Sequence, residues 1–253
     1  MDDEQLIRYS RHILLPQIDY TGQQRLSAGH VMIVGLGGLG SPVAMYLAAS
    51  GIGHLTLIDD DHVELSNLQR QIIHTEPQLG KAKVASAKAA IEALNHHIQV
   101  TTYTQRFDRD NMLALVKSVD IVVDCSDNFA TRFGLNAVTQ QTKTPLVSGA
   151  AIKMEGQVAV YDPRINGSPC YQCVYHDEGE LVQQSCADRG VLSPLLGMIG
   201  SIQAVETVKL LAKFGDSLAG RLMLIDAATM QCREMRLTTN PDCPVCQSVT
   251  KVT

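Results

Sequence analysis

The feature that most constrains the fold is a glycine-rich turn between an apolar segment and a helical pattern. The segment His30–Val34 is almost entirely apolar, and Gly-Leu-Gly-Gly-Leu-Gly follows it directly at residues 35–40. A helical pattern at residues 41–50 and a second apolar segment, His54–Ile58, come next. This succession, in about 30 residues, is typical of a β-α-β unit. The chain is therefore expected to build a parallel sheet with helices packed on it.

The alternation of strand and helix patterns continues to about residue 150 and then changes. Up to residue 150, further helices are predicted at 80–94, 110–116 and 132–142, and further strands at 100–103, 121–124 and 145–149. Beyond them come predicted strands at 157–161, 221–226 and 231–237, a helix at 195–212, and a polar, mobile loop at 178–190. We therefore predict an α/β fold in which a doubly wound, Rossmann-like parallel sheet continues into a mixed or antiparallel C-terminal half.

The same pattern predicts one domain with three parts. Residues 1–29 form a helical arm, residues 30–150 a nucleotide-binding half, and residues 151–253 a mixed-sheet half that contains a structural metal site and binds a protein partner. The identity of the partner rests on a resemblance to a known family.

Charge and composition exclude several classes of protein. The 253 residues carry a formal net charge of -5, whereas nucleic-acid-binding surfaces usually have a basic excess. The start of the chain, MDDEQLIRYS, is acidic and lacks the pattern of a targeting peptide, which predicts a cytoplasmic protein. The longest apolar run, 195–208, is interrupted by Ser201, Gln203 and Glu206 and falls short of the ~20 residues of a membrane span. A buried helix is the better interpretation, and no membrane association is expected.

The glycine turn itself indicates a nucleotide. Gly35, Gly37 and Gly40 have the spacing of a dinucleotide-binding fingerprint, with a strand before and a helix after. Glycine allows the backbone to approach a phosphate closely, and the helix N-terminus offers free N–H groups. Asp59 ends the second strand, where an acidic side chain reaches a ribose hydroxyl. A strand-to-helix turn without a ligand is the alternative, and the motif does not say which nucleotide binds.

The loops after the other predicted parallel strands carry charged side chains. Arg70 lies after the second strand, Lys83 in the next helix, and Asp127 after the fourth strand. Because open α/β sheets bind ligands at the carboxyl ends of their strands, these side chains are expected near the glycine turn. Each also has a simpler explanation: Arg70 as a surface residue, Lys83 as one of several helix lysines, and Asp127 as a helix cap.

Together these charges suit the transfer of an adenylyl group to a carboxylate. The carboxylate is already ionised, so it needs no general base, but a triphosphate repels it. Two unit charges ~4 Å apart interact by ~4 kcal/mol at an effective dielectric of about 20. Cations such as Arg70 and Lys83, and a Mg²⁺ ion held by Asp127, would offset that repulsion. A nicotinamide-dependent oxidoreductase, suggested by the glycine turn alone, would leave these three residues without a role.

Four of the seven cysteines form two C-x-x-C pairs, Cys170 with Cys173 and Cys243 with Cys246. Without an export signal, that pattern favours metal ligation over disulfides. Two such pairs complete a tetrahedral S₄ site, which binds Zn²⁺ and has a structural role. Unpaired thiols and a thioredoxin-like redox motif are the alternatives, and a redox motif would need only one pair.

At this point the chain resembles a known family over essentially its whole length. The segments GLGGLGSP, LSNLQRQ, G-K-x-K and CSDN, with the two cysteine pairs, occur in this order in the MoeB/ThiF family, the bacterial relatives of ubiquitin-activating enzymes. The resemblance implies an ATP-dependent adenylyltransferase that activates the C-terminal carboxylate of a ubiquitin-like sulfur carrier ending in Gly-Gly as an acyl-adenylate. It also implies a homodimer in which Arg11, from the arm motif Arg-Tyr-Ser-Arg, reaches the site of the other subunit.

The resemblance assigns roles residue by residue. Asp59 would bind the ribose of ATP, Asn67, Arg70 and Lys83 the phosphates, and Asp127 the catalytic Mg²⁺, with Gly38 beneath the nucleotide. The resulting cofactor-binding set is Gly35, Gly37, Gly38, Gly40, Asp59, Asn67, Arg70, Gln71, Lys83, Asp127 and Asn128. The predicted catalytic set is Asp127, Arg70, Lys83, Arg11 and Cys186.

The choice of carrier rests on similarity alone. The segment GAAIKMEGQ at residues 149–157 resembles the molybdopterin-synthase branch of the family more than the thiamin branch. On the thiamin alternative, Cys186 would form a covalent link to the carrier; otherwise it is a bystander thiol. With no room after Cys246 for a rhodanese-type domain, a separate sulfur donor such as a cysteine desulfurase or rhodanese is expected. A zinc scaffold without activity, and adenylation of a tRNA base or another small substrate, are further alternatives.

Overall fold

The computed structural model describes residues 1–106, 109–175 and 190–247. These residues form an eight-stranded sheet with the strand order β3-β2-β1-β4-β5-β6-β7-β8. Its strands are β1 His30–Val34, β2 His54–Ile58, β3 Gln99–Tyr103, β4 Ile121–Asp124, β5 Leu146–Ile152, β6 Glu155–Tyr161, β7 Arg221–Asp226 and β8 Gln231–Arg236.

The helices lie mostly between the parallel strands. They are α1 Asp3–Arg8, α2 Ser10–Ile13, α3 Asp19–Ala28, α4 Gly40–Ala49, α5 Lys83–Leu94, α6 Arg109–Lys117, α7 Phe129–Thr142, α8 Tyr171–Val174 and α9 Ser193–Ala212. Two short 3₁₀ turns, Leu65–Asn67 and Glu76–Gln78, lie in the long connection between β2 and α5.

Strand β5 separates the parallel part of the sheet from the antiparallel part. Strands β3, β2, β1, β4 and β5 pair in parallel, and β5 pairs with β6 in antiparallel fashion, as do β6 with β7 and β7 with β8. The predicted fold class, a doubly wound parallel sheet that continues into an antiparallel half, is therefore confirmed. The change occurs within two residues of the predicted boundary at residue 150.

Hydrophobic side chains cover both faces of the sheet, as in doubly wound folds. On one face, Val31 and Ile33 of β1 join a cluster with residues of α4, α5 and α9. On the other face, Met32 and Val34 join a cluster with residues of α6 and α7. Because side chains alternate along a strand, neighbouring residues of β1 pack against the helices on opposite faces of the sheet. The first cluster also contains Val158 of β6, so both halves contribute to one core.

Helix α9 is the apolar helix predicted from the C-terminal half. It is long and apolar enough to cross a membrane by length and composition, with a mean hydropathy of 1.4, but 56% of that stretch is buried. It packs on α4 and on strands β4, β5 and β6. The polar residues that interrupt it have partners inside the protein: Gln203 donates to the Asp124 carbonyl at 2.8 Å and Glu206 accepts from the Leu218 N–H at 2.7 Å.

Several boundaries differ from the prediction; α7 begins at Phe129, not at Arg132, and β5 ends at Ile152, not at Gly149. Helix α5 begins at Lys83, not at Gly80, because Gly80 has a φ of +78° and residues 80–82 pair with residues 62–63. The sequence predicts one helix at residues 6–15 of the arm, where the structure has α1 and α2 with a break at Tyr9. Helix α9 begins two residues earlier than predicted. The predicted mobile loop at 178–190 lies, apart from its last residue, outside the described residues.

Candidate nucleotide site and cysteine cluster

The glycine turn, residues 35–40, joins the carboxyl end of β1 to α4. Gly35 has a φ of +90°, and a Cβ there would lie 2.7 Å from the Cys125 carbonyl oxygen. A Cβ on Gly40 would collide with the Gly35 carbonyl oxygen, and one on Gly38 would lie 2.5 Å from Leu196 Cδ1. These three glycines are therefore required by the packing of the turn against β4 and α9, whether or not a ligand binds.

Gly37 differs from the other glycines of the turn. Among the described residues, a Cβ there would meet only Gln71, at 3.6 Å from its Nε2, which is an ordinary contact. Its φ is not positive, so the backbone also tolerates a side chain. The packing of the protein therefore gives no reason for a glycine at this position, whereas a phosphate that lies against the backbone would require one.

Two side chains fix the peptide units around Leu36. The Leu36 N–H donates to Asp59 Oδ2 at 2.7 Å, and the Leu36 carbonyl lies 3.0 Å from His74 Nε2. Since a carbonyl only accepts, His74 Nε2 carries the hydrogen, and Nδ1 accepts from the Ser86 hydroxyl at 2.9 Å. Burial lowers the pKa of His74, and nearby Lys83 lowers it further. The neutral imidazole thus ties the glycine turn to α5.

Asp59 is partly buried at the end of β2. Burial raises the pKa of its carboxyl, while the N–H groups of Leu36 and Asp61 and the charge of Lys83 oppose that shift. Lys83 is itself buried, and its Nζ lies 2.9 Å from Asp61 Oδ2. The predicted phosphate-binding lysine is therefore close to the turn but is paired with a carboxylate that the sequence analysis did not identify.

The segment 65–71 contributes a buried amide beside the turn. Asn67 is buried, and its carbonyl accepts from the Gln71 N–H at 2.9 Å. Gln71 is 4% exposed, and its Oε1 has no hydrogen-bond partner among the described residues. A buried polar atom without a partner is costly, and here it lies beside the open position at Gly37. Arg70 is half-buried, and its Nη1 donates to the Ser66 carbonyl at 3.0 Å.

Asp127 and Asn128 follow β4. Asn128 Oδ1 accepts from the Thr131 N–H at 2.9 Å and caps α7, so the capping role belongs to Asn128. Asp127 is exposed. Arg132, which the sequence analysis did not single out, is buried, donates to the Ser126 and Gly149 carbonyls, and pairs with Asp124 at 3.6 Å. It fixes the loop that carries Asp127.

The structure thus joins the loops after β1, β2 and β4 through hydrogen bonds and close contacts. Arg11 is exposed on α2, which packs on α3. Cys186 lies outside the described residues. His74, Asp61 and Arg132 gave no sequence signal, because each acts through partners that are distant in the chain.

The four predicted zinc ligands form a cluster, which we call the cysteine cluster: Cys170, Cys173, Cys243 and Cys246. Their Sγ atoms all lie within 4.8 Å of one another, with distances of 3.8 Å within the first pair and 3.5 Å for each of two contacts between the pairs. Tetrahedral Zn²⁺ with Zn–S bonds of ~2.3 Å requires S···S distances of about 3.8 Å, whereas a disulfide requires ~2.05 Å. The donor set therefore fits zinc.

The protonation of the cysteine thiols agrees with a zinc site. Burial, together with the nearby Cys173, raises the pKa of the Cys170 thiol to about 12. Four thiolates this close repel one another and are stable together only beside a cation. Zn²⁺ supplies that charge when it is bound, and the closed S₄ set leaves no position for water. The cluster is thus a structural site that joins the segment after β6 to the segment after β8.

Comparison with known proteins agrees with the fold and with the predicted family. The molybdopterin-synthase adenylyltransferase of Salmonella typhimurium is 46% identical, over 97% of this chain and 98% of that protein. The adenylyltransferase and sulfurtransferase MOCS3 of Drosophila ananassae is 42% identical, over 100% of this chain and 56% of that protein. Escherichia coli MccB, solved with AMPCPP and MccA, has a TM-score of 0.83 at 25% identity, over 94% of this chain and 74% of that one. The ThiF family model matches residues 9–245, and the chain belongs to the ThiF family.

Proposed function

We propose that this protein is an ATP-dependent adenylyltransferase that activates the C-terminal carboxylate of a sulfur-carrier protein, the small subunit of molybdopterin synthase. The observation that carries the proposal is the match to a molybdopterin-synthase adenylyltransferase over nearly the full length of both chains. In molybdenum cofactor biosynthesis, a later sulfur transfer converts the resulting acyl-adenylate into a thiocarboxylate.

The reaction is one substitution at phosphorus. A carboxylate oxygen of the carrier's last glycine bonds to the α-phosphorus of ATP, the bond from that phosphorus to the β-phosphate oxygen breaks, and pyrophosphate leaves. No proton has to move, because the carboxylate is ionised at neutral pH. The protein must hold the triphosphate and offset its charge, which preorganised donors and cations do well.

The glycine turn and its neighbours supply that environment. The start of α4, which has no side-chain cap, and the open position at Gly37 suit the phosphates. Asp59 would accept from the ribose, and Gln71 Oε1 is an unpaired acceptor beside Gly37. Arg70 would offset the negative charge of the phosphates. Lys83 would do the same after it leaves its ion pair with Asp61. The likeness to MccB, solved with AMPCPP, supports a nucleotide in this place.

Magnesium would be held by Asp127. Its carboxylate is exposed at the carboxyl end of β4, and Asn128 has the capping role, so oxygen ligands are free for a hard cation. The ion supplies charge neutralisation on the phosphates when it is bound.

We further propose a cytoplasmic homodimer in which Arg11 completes the site of the other subunit. The exposure of Arg11 on α2 supports this assignment, as do the exposed apolar side chains Leu6, Ile7, Leu14 and Leu15 on the same arm. Sulfur would come from a separate donor, such as a cysteine desulfurase or rhodanese, because the relative of matching length is named for adenylyl transfer alone. We propose neither a nucleic-acid nor a membrane partner.

Isotope exchange tests the proposal. Enzyme, ATP, Mg²⁺, labelled pyrophosphate and the molybdopterin-synthase small subunit should give labelled ATP, because adenylate formation is reversible. A carrier without its last glycine is the matched control and should give none. Exchange in the absence of any carrier would contradict the assignment of the substrate.

Two alternatives are separated by added arms of the same experiment. If the thiamin sulfur carrier supports faster exchange than the molybdopterin-synthase subunit, the enzyme belongs to the thiamin branch, and Cys186→Ala should then reduce sulfur transfer. If the protein binds NAD more tightly than ATP and gives no exchange with either carrier, an oxidoreductase becomes the better proposal.

A further inference from the structure

A cluster of metal-ligating side chains lies far along the chain from both sites described above. Glu4 comes from α1 of the arm, and His96 and His97 come from the loop between α5 and β3. One ligand atom from each lies within 4.8 Å of the other two. Neither the family model nor the proposed reaction gives these three residues a role.

The distances match those of a metal site that has three protein ligands. Glu4 Oε1 lies 3.4 Å from His97 Nε2 and 3.9 Å from His96 Nε2. Ligands at ~2.1 Å from a tetrahedral ion stand about 3.4 Å apart, so the first pair already has that spacing and the second needs a shift of about 0.5 Å. Both imidazoles present Nε2 to the same carboxylate oxygen, as ligands of one ion would.

His97 gives an independent indication. Its side chain is only 15% exposed, and its buried Nε2 meets Glu4 Oε1 at 3.4 Å as an ion pair without the alignment of a hydrogen bond. A metal ion bound by both atoms would replace this poorly aligned contact with two bonds at coordination distance.

The backbones on both sides are fixed before any ion binds. Buried Asn95 holds the histidine loop, since its Nδ2 donates to Tyr9 Oη and to the Ala48 carbonyl, both at 2.9 Å. On the arm, Asp2 and Gln5 cap α1 reciprocally. Arg8 Nη1 donates to the Leu94 carbonyl at 3.0 Å. The three ligands therefore meet at a defined junction between the arm and the body of the protein.

We propose that Glu4, His96 and His97 form a second metal site, which binds a divalent transition-metal ion and ties the arm to the body. Two imidazoles and a carboxylate suit Zn²⁺, Ni²⁺ or Cu²⁺ and do not suit Mg²⁺ or Ca²⁺. Three protein ligands leave at least one coordination position for water. The site is independent of the proposed reaction, because Glu4, His96 and His97 are not among the residues assigned to the nucleotide.

Calorimetric titration of the zinc-loaded, tag-free full chain with NiCl₂ tests the proposal. One Ni²⁺ should bind per chain in addition to the zinc. Glu4→Gln and His97→Ala should each weaken that binding at least ~10-fold, since even the loss of an outer hydrogen-bond partner costs a metal site that much. His62→Ala, which removes an exposed histidine on another loop, is the matched control and should leave binding unchanged.

Arg8 gives a test of the opposite sign. Its Nη2 lies 3.4 Å from Glu4 Oε1, so its charge opposes a cation bound there. Arg8→Gln should therefore strengthen nickel binding. The proposal is overturned if no Ni²⁺ binds beyond the zinc, if the Glu4 and His97 variants bind it as tightly as the unaltered chain, or if His62→Ala weakens it equally.

Discussion

The glycine turn and the cysteine cluster are held in place in different ways. In the turn, the proposed ligand-binding groups are largely backbone N–H groups, and their positions depend on side chains such as Asp59 and His74 that reach in from neighbouring loops. In the cysteine cluster, the side chains themselves would be the zinc ligands, and they join two segments that are distant in the chain. Changes on the open side of the turn should therefore alter activity with little effect on stability, and changes in the cluster should do the reverse.

Removing a zinc ligand is expected to have the largest effect. Cys243→Ser replaces a buried member of the cluster and should release zinc, which lowers the free energy of unfolding by about 4 kcal/mol and the Tm by roughly 10 °C. Calorimetry and metal analysis measure both. Cys232→Ser, at an exposed cysteine outside the cluster, is the control and should change stability by less than about 0.5 kcal/mol.

The same variant tests whether the two regions are separable. Below its unfolding temperature, Cys243→Ser should bind ATP as tightly as the unaltered chain. Loss of ATP binding in a folded, zinc-free protein would show that the cluster also shapes the nucleotide site, and the contrast drawn above would fail.

Asp127→Ala should have the next largest effect. Loss of the magnesium ligand should reduce carrier-dependent pyrophosphate exchange by at least ~100-fold, because an electrostatic group that acts on the transition state is removed. Zinc content and Tm should not change, since Asp127 is exposed. If the variant unfolds or loses zinc, Asp127 is a structural residue. Asp216→Ala, at another exposed aspartate, is the control for a lost surface charge.

Two adjacent glycines give a finer test. Gly37→Ala should keep its Tm and lose about 10-fold in ATP affinity, a change of about 1.4 kcal/mol, because the new methyl group occupies the space next to the phosphates. Gly38→Ala should instead lower the Tm, because its Cβ would lie 2.5 Å from Leu196 Cδ1. If Gly37→Ala binds ATP normally, the open side of the turn is not the phosphate site.

The smallest expected effect concerns pH. Burial lowers the pKa of His74 below its ordinary value of 6.5, so at pH values between the two the unfolded chain holds a proton that the folded chain does not. Stability is therefore complete above pH 6.5 and falls as the pH decreases below it. Burial shifts His30 and His54 in the same direction.

Urea unfolding of the His74→Gln variant at several pH values isolates that contribution. Glutamine can still donate to the Leu36 carbonyl but does not titrate, so the acid-induced loss of stability should become smaller. An unchanged pH dependence would mean that His74 is already neutral in the unfolded chain at these pH values, or that it is protonated in the folded one.

The sequence alone determined the elements whose signals are local. Strands β1, β2, β4 and β7 begin and end where the sequence patterns predicted, because β1, β2 and β4 are mostly apolar segments in the parallel part of the sheet and β7 alternates as a strand with one buried face does. The glycine spacing predicted the turn, and the two C-x-x-C pairs predicted the cluster, since each motif lies within a few residues of chain.

Only the tertiary structure decided what depends on contacts between distant segments. The start of α5 moved to Lys83 because residues 80–82 pair with residues 62–63. Lys83 acquired Asp61 as a partner, and His74 reached the Leu36 carbonyl. Glu4 met His96 and His97 because buried Asn95 fixes their loop against the arm. Hydrogen bonds and ion pairs act over a few ångströms in space, and no sequence period records which distant residues the fold brings within that range.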